Sequence, residues 1–342
     1  MSPSEDDFDE LERKLDDLES SINDINIDIE ELKFIKDYEI YLYPATIERY
    51  LDILVKVQQI DKRSFFPSSE VRIEQYFNNN FASFDHANIK YDSTVDFKVI
   101  SKIISYQGKS GSSFIENVEN VIDINKPLLI FYGIEQIAAY FSNLHFNFTW
   151  KNNRLTPIRV GLAKHGIDSF EFKNKVDLNN PIEDLLNKKI KLKNGGLAQR
   201  FFLTIAPEFL PYFSQKLEIP FIELLKLFFI FSPIPNKTKK TFEDLYGSRK
   251  SLPNHLNYMY LKHSKKLILY LIYLLSFLFC HMCRYKLYAW TVLLNSDEKN
   301  IGYFIKYFLK YSKRYFIKTV FDEVYKNEQK IKLELKFKKN IS

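Results

Sequence analysis

Residues 267–283 read LILYLIYLLSFLFCHMC, a run of 17 residues without a formal charge. Lys265 and Lys266 stand before this run and Arg284 follows it. A membrane-spanning helix needs about 20 apolar residues, so the run is slightly short, and Ser276 lowers its hydrophobicity further. A helix that is buried on all sides in a helical domain is equally apolar around its circumference. We therefore predict a buried core helix here, with a membrane span through 267–283 as the alternative.

The end of this run, FCHMCRY at 279–285, contains the two cysteines of the chain, Cys280 and Cys283. A structural zinc site needs four ligands, and the sequence offers neither a second cysteine pair nor histidines at ligand spacing. Residues three apart share one face of a helix, so the thiols could also form a redox pair. A redox motif of the thioredoxin type begins a helix, however, whereas this motif ends one. We predict two buried thiols that pack as small apolar side chains, with no metal and no cofactor.

The body of the chain, residues 37–342, has the composition of a mainly α-helical globular domain. Apolar residues make up 46% of the chain and aromatic residues 16%, whereas Gly and Pro are scarce. Apolar periodicity predicts helices at 46–60, 127–143 and 219–235. Gly133 lies inside the second helix, where glycine costs about 1 kcal/mol relative to alanine. This residue therefore indicates a close helix–helix contact.

Between these helices, short alternating runs predict a small β-rich insertion near 165–205. The strands are predicted at 170–173, 189–193 and 197–205, and Asn194-Gly195-Gly196 predicts a turn. Three further stretches lack a clear helical or strand period. They are the polar run 61–95, predicted as a loop with a short helix, the mixed run 96–106, and the basic loop around Lys237, Lys239 and Lys240.

The N-terminal segment 1–36 carries the clearest repeat in the sequence. Its apolar residues are spaced alternately three and four apart, which is the a/d pattern of a coiled coil. The predicted core positions are Phe8, Leu11, Leu15, Leu18, Ile22, Ile25, Ile29 and Leu32. The segment is also acidic, with 13 Asp and Glu against 4 Lys and Arg, whereas residues 301–342 have 11 basic and 4 acidic residues. The strict period favours self-association of the arm, and an arm folded back on the basic body is the alternative.

Four short blocks, in order, resemble the YaaC-like protein family over roughly residues 127–325. The blocks are PLLIFYGIEQIAAYF at 127–141, His165-Gly166-Ile167, Asn194-Gly195-Gly196, and Cys283-Arg284-Tyr285 followed by Trp290 and Ser296-Asp297-Glu298. The resemblance implies a soluble, mainly helical protein and implies no particular activity. The N-terminus also lacks the basic and apolar regions of a signal peptide, so a cytoplasmic location is expected.

Four residues are candidates for binding a ligand: His165, Gly166, Arg284 and Tyr285. A histidine in a His-Gly turn can act as a general base or ligand contact, or it can simply bond to backbone groups. An arginine at the end of a helix can cap the last carbonyl groups, or it can hold a carboxylate or phosphate. No catalytic motif is recognisable, so enzymatic activity stays open.

The pattern as a whole favours a non-enzymatic interaction or assembly protein that forms homo-oligomers through residues 1–36. One alternative is a nucleic-acid-binding protein or nuclease that uses the basic surface with His165 and Arg284, since aromatic and basic residues alternate along 303–318. An amphipathic helix with an aromatic core face explains that pattern equally well. The second alternative is a membrane-associated protein.

Overall fold

The part of the chain that the structure describes is mainly α-helical, as the composition predicts. The structure is a computed structural model that describes residues 39–60, 97–145, 148–151, 154–157, 165, 167–168, 177, 179–192, 197–198, 201, 205, 218–247 and 254–339. The predicted arm at 1–36, the loop at 61–95, the strand at 170–173 and the turn at 194–196 lie outside these residues.

Nine helices have both ends among the described residues. They are α1 (Pro44–Ile60), α2 (Phe97–Glu116), α3 (Lys126–His145), α4 (Pro181–Asn187), α5 (Phe221–Phe231), α6 (Asn236–Tyr246), α7 (Asn254–Tyr285), α8 (Leu287–Asn295) and α9 (Ile301–Lys339). Short 3₁₀ turns at Ile40–Leu42, Asn117–Asn120 and Glu298–Asn300 precede α1, follow α2 and precede α9.

The strands form two small antiparallel sheets. They are β1 (Phe148–Lys151), β2 (Arg154–Pro157), β3 (Ile167–Asp168), β4 (Lys189–Leu192) and β5 (Glu218–Pro220). β1 pairs with β2, and the second sheet has the order β3-β4-β5. Its register places Ile167 opposite Leu192 and Ile190 opposite Ile219.

Helix α7 is the central element of the core, and it contains the uncharged run 267–283. It packs against α3, α5, α8 and α9, so its apolar circumference meets helices on several sides. Among the described residues, the window Lys266–Tyr285 is the one long and apolar enough to cross a membrane, and 89% of it is buried inside the body. This burial favours the prediction of a core helix, and membrane association stays an untested alternative.

Helices α2 and α3 cross at two glycines, which confirms the close contact predicted at Gly133. A Cβ added at Gly133 would lie 2.6 Å from Cδ1 of Ile115 and 3.0 Å from the carbonyl oxygen of Gly111. A Cβ at Gly111 would in turn lie 2.9 Å from the carbonyl oxygen of Gly133. The two backbones therefore approach to a distance that a side chain at either position would prevent.

The strand predicted at 189–193 is confirmed as β4, but the strand predicted at 197–205 is wrong. The described residues Leu197, Ala198, Phe201 and Ile205 are helical and all four are buried. Their spacing of one, three and four residues brings them to one face of a helix. These four apolar residues, which the sequence analysis assigned to a strand, therefore form the buried face of a helical segment.

The loop predicted around 237–240 is also wrong, because these residues lie in α6. Helix α6 begins directly after Pro235 and buries Thr238 and Phe242, so its lysines occupy the solvent face. The helix predicted at 219–235 is shorter than expected, because Glu218–Pro220 form β5 and the chain leaves the helix at Ser232.

Residues 97–106 of the mixed run belong to α2. The buried face of this segment contains Ser101 and Ser105 beside Ile104. Because the two serines are polar, the sequence does not show the apolar spacing of a helix here.

The first described residues of the body are fixed against the last helix. The Tyr140 hydroxyl on α3 donates to the Tyr41 carbonyl at 2.9 Å. The Tyr41 hydroxyl forms a hydrogen bond with Glu328 of α9, and Arg49 of α1 lies 3.8 Å from the same carboxylate. Glu328 is buried and also pairs with Lys332 at 2.7 Å. The start and end of the body therefore share one buried carboxylate.

Candidate functional site

A buried carboxyl group lies on α3 where this helix faces α7. Glu135 is only 8% exposed, and its own helix buries Phe131, Ile134 and Ala138 around it. Burial in these apolar surroundings disfavours the charged carboxylate and raises the pKa of Glu135 to about 7. A carboxyl group with this pKa can both release and accept a proton near neutral pH.

His165 reaches this carboxyl group from the segment just before β3. Its carbonyl oxygen accepts a hydrogen bond from the Ala198 amide at 3.0 Å, which fixes the backbone. The imidazole ring lies between Phe131 and Phe277, with ring centroids 5.4 Å and 5.3 Å away. In this position Nδ1 lies 3.2 Å from Oε1 of Glu135.

The Glu135–His165 pair favours uncharged forms at both residues. The pKa of His165 is lowered by burial, and the nearby positive charge of Arg284 lowers it further. Nδ1 is nevertheless a buried polar atom that makes no hydrogen bond within the described residues. The pair is thus within reach of a shared proton without being locked in a hydrogen bond.

Arg284 lies in the last turn of α7 with an exposed side chain. Its guanidinium group lies 4.9 Å from the centre of the Tyr285 ring. Within the described ranges it makes no ion pair, and it donates no hydrogen bond to the last carbonyl groups of α7. Its charge still acts on the site, because it lowers the pKa of His165 and opposes the increase at Cys280. Arg284 is therefore close enough to His165 for its charge to act on the imidazole, although the two residues are far apart in sequence.

Tyr285 extends this site to the surface. It is 59% exposed, and its ring centroid lies 5.0 Å from that of His281. Leu287 and Tyr288 are also exposed, so the junction of α7 and α8 presents large apolar side chains to solvent. Of the four predicted ligand-binding residues, Arg284 and Tyr285 contact one another, whereas His165 contacts Phe277, which in turn packs against His281. Gly166 lies outside the described residues.

Sequence reasoning missed Glu135, Tyr132 and Tyr273. Burial raises the pKa of Tyr132, the positive charge of Arg284 opposes this increase, and the carboxylate of Glu135 adds to it. The hydroxyl of Tyr273 is fully buried and has no hydrogen-bond partner in the part of the chain that the structure describes. The available signal was a single acidic residue in the mostly apolar run PLLIFYGIEQIAAYF. Such a residue must be neutral or paired if the run is buried.

Both cysteines are buried, as predicted. Burial raises the pKa of Cys280 to about 12, so its thiol stays protonated and is a poor nucleophile. The Cys283 thiol donates to the Ile124 carbonyl at 3.0 Å, and Nε1 of Trp290 donates to the same oxygen at 2.9 Å. Over the described ranges, no three His, Cys, Asp or Glu residues cluster as metal ligands would.

The aromatic residues of α9 mostly pack into the core. Phe304, Phe308 and Phe316 are buried, and Tyr311 packs against this core with a half-buried ring. Lys313 is buried as well and pairs with Glu119. This packing matches the prediction of an amphipathic helix with an aromatic core face. Nucleic-acid binding is not favoured by these contacts and stays a prediction.

No protein-family model, curated protein or solved structure matches this chain. The resemblance to the YaaC-like family therefore stays a prediction.

Proposed function

We propose that this chain is a cytoplasmic interaction or assembly protein, YaaC-like in its body, that forms homo-oligomers through residues 1–36. The observation that supports the proposal is the unbroken a/d repeat from Phe8 to Leu32. A repeat of this length gives each chain a continuous apolar stripe, and pairing with a second copy removes the stripe from water.

Charge distinguishes self-association from an arm that folds back on the body. The arm carries a net charge of −9, so two arms repel one another, whereas an arm and the basic remainder of the chain attract. Salt screens both interactions. Raising the ionic strength should therefore strengthen contact between two arms and weaken contact between an arm and the body.

The test is molar mass by light scattering after size exclusion, at low and high salt. The full chain should have the mass of a dimer or larger oligomer, more completely at high salt, and a truncated chain that starts at Tyr38 should be a monomer. Leu18→Glu places a charge at a d position and should give a monomer. Ser20→Glu adds the same charge at the solvent-facing f position of the same heptad and should leave the oligomer intact. Monomeric full-length protein at both salt concentrations would reject the proposal.

A further inference from the structure

We propose that the corner between α7 and α8 is a docking surface for the anionic headgroups of a lipid membrane. This inference goes beyond the proposed self-association and is independent of it, because every residue that carries it belongs to the body.

The corner consists of five consecutive residues at the surface of the protein. Helix α7 ends at Tyr285, Lys286 has a non-helical backbone with φ −138° and ψ 50°, and α8 begins at Leu287. Tyr285 is 59% exposed, Leu287 is 54% exposed and Tyr288 is 59% exposed. Arg284 is exposed as well, and Lys286 is half-buried. Large apolar side chains and cations therefore lie together at the surface within one turn of the chain.

The packing beneath the corner holds its backbone in place. Trp290 is fully buried, and its Nε1 donates a hydrogen bond to the Ile124 carbonyl at 2.9 Å. The Cys283 thiol donates to the same oxygen at 3.0 Å. Ile122, two residues before Ile124, is 69% exposed and adds an apolar side chain at this end of α7. A surface that is already ordered loses less conformational entropy when it binds.

The charge of the corner is complementary to an anionic surface. Helices α7 and α8 lie within residues 245–296, a stretch that contains no Asp and no Glu. Arg284 makes no ion pair within the described ranges, and its guanidinium group lies over the Tyr285 ring, 4.9 Å from the ring centroid. An approaching phosphate group therefore meets a cation, and neither helix of the corner supplies a carboxylate that would repel it.

Carboxylates on the neighbouring segments already have partners. Asp123, which follows Ile122, lies 2.9 Å from Lys126. Helix α4 packs against α8, and its Asp184 lies 3.1 Å from Lys188. The other acidic residue of α4, Glu183, accepts a hydrogen bond from the Asn180 side chain at 2.6 Å. These pairs reduce the negative charge that the corner meets from the rest of the body.

The composition and the size of the corner favour a lipid surface over a protein partner. Tyrosine is enriched where membranes meet water, because its ring packs at the level of the headgroups and its hydroxyl stays hydrated. Basic residues beside an anionic leaflet are attracted to it. A specific protein interface buries about 800 Å² on each partner and uses about 20–30 residues, which is far more than one corner supplies.

Docking at the corner differs from a membrane span through 267–283. Helix α7 keeps its contacts with α3, α5, α8 and α9, and only the residues at and beyond its last turn enter the headgroup layer. Salt screens the attraction between cations and anionic lipids. High salt should therefore release the docked protein, whereas release of a membrane span would need detergent.

The test is co-sedimentation of the full chain with vesicles of phosphatidylcholine, with and without one third phosphatidylglycerol, at low and high salt. The full chain should sediment with the anionic vesicles at low salt, stay in solution with the neutral vesicles, and leave the anionic vesicles at high salt. Protein that stays in solution with both kinds of vesicle would overturn the proposal. Protein that only detergent releases would overturn it in favour of a membrane span.

Matched variants separate the corner from the general positive charge of the body. Arg284→Gln should lower the partition coefficient about fivefold, since a basic residue beside an anionic surface contributes about 1 kcal/mol. Lys306→Gln removes a charge from an exposed position on α9 and should leave the coefficient unchanged. Tyr288→Ser should also lower it, whereas Tyr106→Ser makes the same change at a 74% exposed position on α2 and should have no effect. Equal losses in the Arg284 and Lys306 variants would show unspecific attraction and reject the docking surface.

Leu287→Ser distinguishes lipid from a second copy of the chain as the occupant of the corner. Leu287 is exposed at the start of α8, so this variant should keep the circular dichroism spectrum of the wild type. It should bind the anionic vesicles more weakly and keep the molar mass of the wild type in light scattering. A lower molar mass would show that a second copy covers the corner, and the lipid proposal would then be wrong.

Discussion

Replacing Gly133 with alanine tests whether the crossing of α2 and α3 sets the packing of the core. On an exposed helix this replacement stabilises by about 1 kcal/mol, because alanine has the higher helix propensity. We expect the opposite sign here. The added Cβ would lie 2.6 Å from both Cγ1 and Cδ1 of Ile115 and 3.0 Å from the carbonyl oxygen of Gly111.

The size of the effect follows from these distances. Non-bonded carbon atoms pack at about 3.5–4.0 Å, so the new methyl group overlaps Ile115 by about 1 Å. Ile115 is buried, and the Gly111 oxygen belongs to the backbone, so neither moves easily. Overpacking of this kind costs about 1–3 kcal/mol, and two overlapping atoms place Gly133→Ala in the upper part of that range. After the gain in helix propensity, a net loss of about 1–2 kcal/mol remains.

Urea unfolding, followed by far-ultraviolet circular dichroism, measures this loss. Ser113→Ala is the matched control, because Ser113 is an exposed residue of α2 and should gain a few tenths of a kcal/mol from helix propensity alone. Combining Gly133→Ala with Ile115→Ala removes both overlapping carbon atoms. The pair should cost about 1 kcal/mol less than the sum of the single changes.

Two results would refute the reasoning. Gly133→Ala could stabilise the protein as much as Ser113→Ala does, which would mean that the two helices do not meet at this point. The costs of Gly133→Ala and Ile115→Ala could also add without coupling, which would mean that the two side chains do not compete for one space.

Three further predictions concern the site and the cysteines. Glu135→Gln should have the same stability as the wild type near pH 4.5 and should be more stable above pH 7. The reason is that the pKa of Glu135 is about 7 in the folded state against an ordinary 4.5, so the wild type loses stability as the pH rises through this window. The difference in unfolding free energy should reach at most about 3 kcal/mol, and a difference that does not change with pH would contradict the raised pKa of Glu135. Trp290→Phe should cost about 2 kcal/mol of unfolding free energy, because the smaller ring leaves a cavity at a fully buried position, whereas the Ile124 carbonyl keeps its hydrogen bond from Cys283; unchanged thermal unfolding would contradict this packing. Cys280 should react with a thiol reagent at pH 8 only at the rate of unfolding, since burial keeps its thiol protonated; rapid labelling of the folded protein would show that the thiol is accessible.

The sequence predicted those elements of the fold whose apolar residues form a long run or a regular repeat and are also the residues that are buried. The run at 267–283 is buried in α7 at every residue except the partly buried Phe277 and His281, and the single glycine of α3 marks a helix crossing. The predictions failed where small polar residues occupy a buried face, as Ser101 and Ser105 do in α2. They also failed where paired apolar residues fit two periods, as at 197–205, because only the neighbouring helices decide which period is used.

The candidate site was predictable only in part, for a related reason. His165 and Arg284 stood out as polar residues at the ends of structural elements. Glu135 did not, because an acidic residue within a helix is usually exposed, and only the packing of α3 against α7 buries it. The lowering of the His165 pKa by Arg284 depends on how close the two side chains lie in the fold, which their separation along the sequence does not show.

The buried carboxylate of Glu328 also affects when the protein can complete its folding during synthesis. It joins Tyr41 and Arg49 to α9, which is synthesised more than 250 residues later. Contacts this distant in sequence form only after the intervening chain exists, and chain synthesis is slower than most folding steps. Helix α1 can pack against α2 early, but the part of its surface that meets α9 stays uncovered until α9 has been synthesised, and it is available to chaperones throughout that interval. Nascent chains arrested before Ile301 should be protease-sensitive at α1, and completed chains should be protected there.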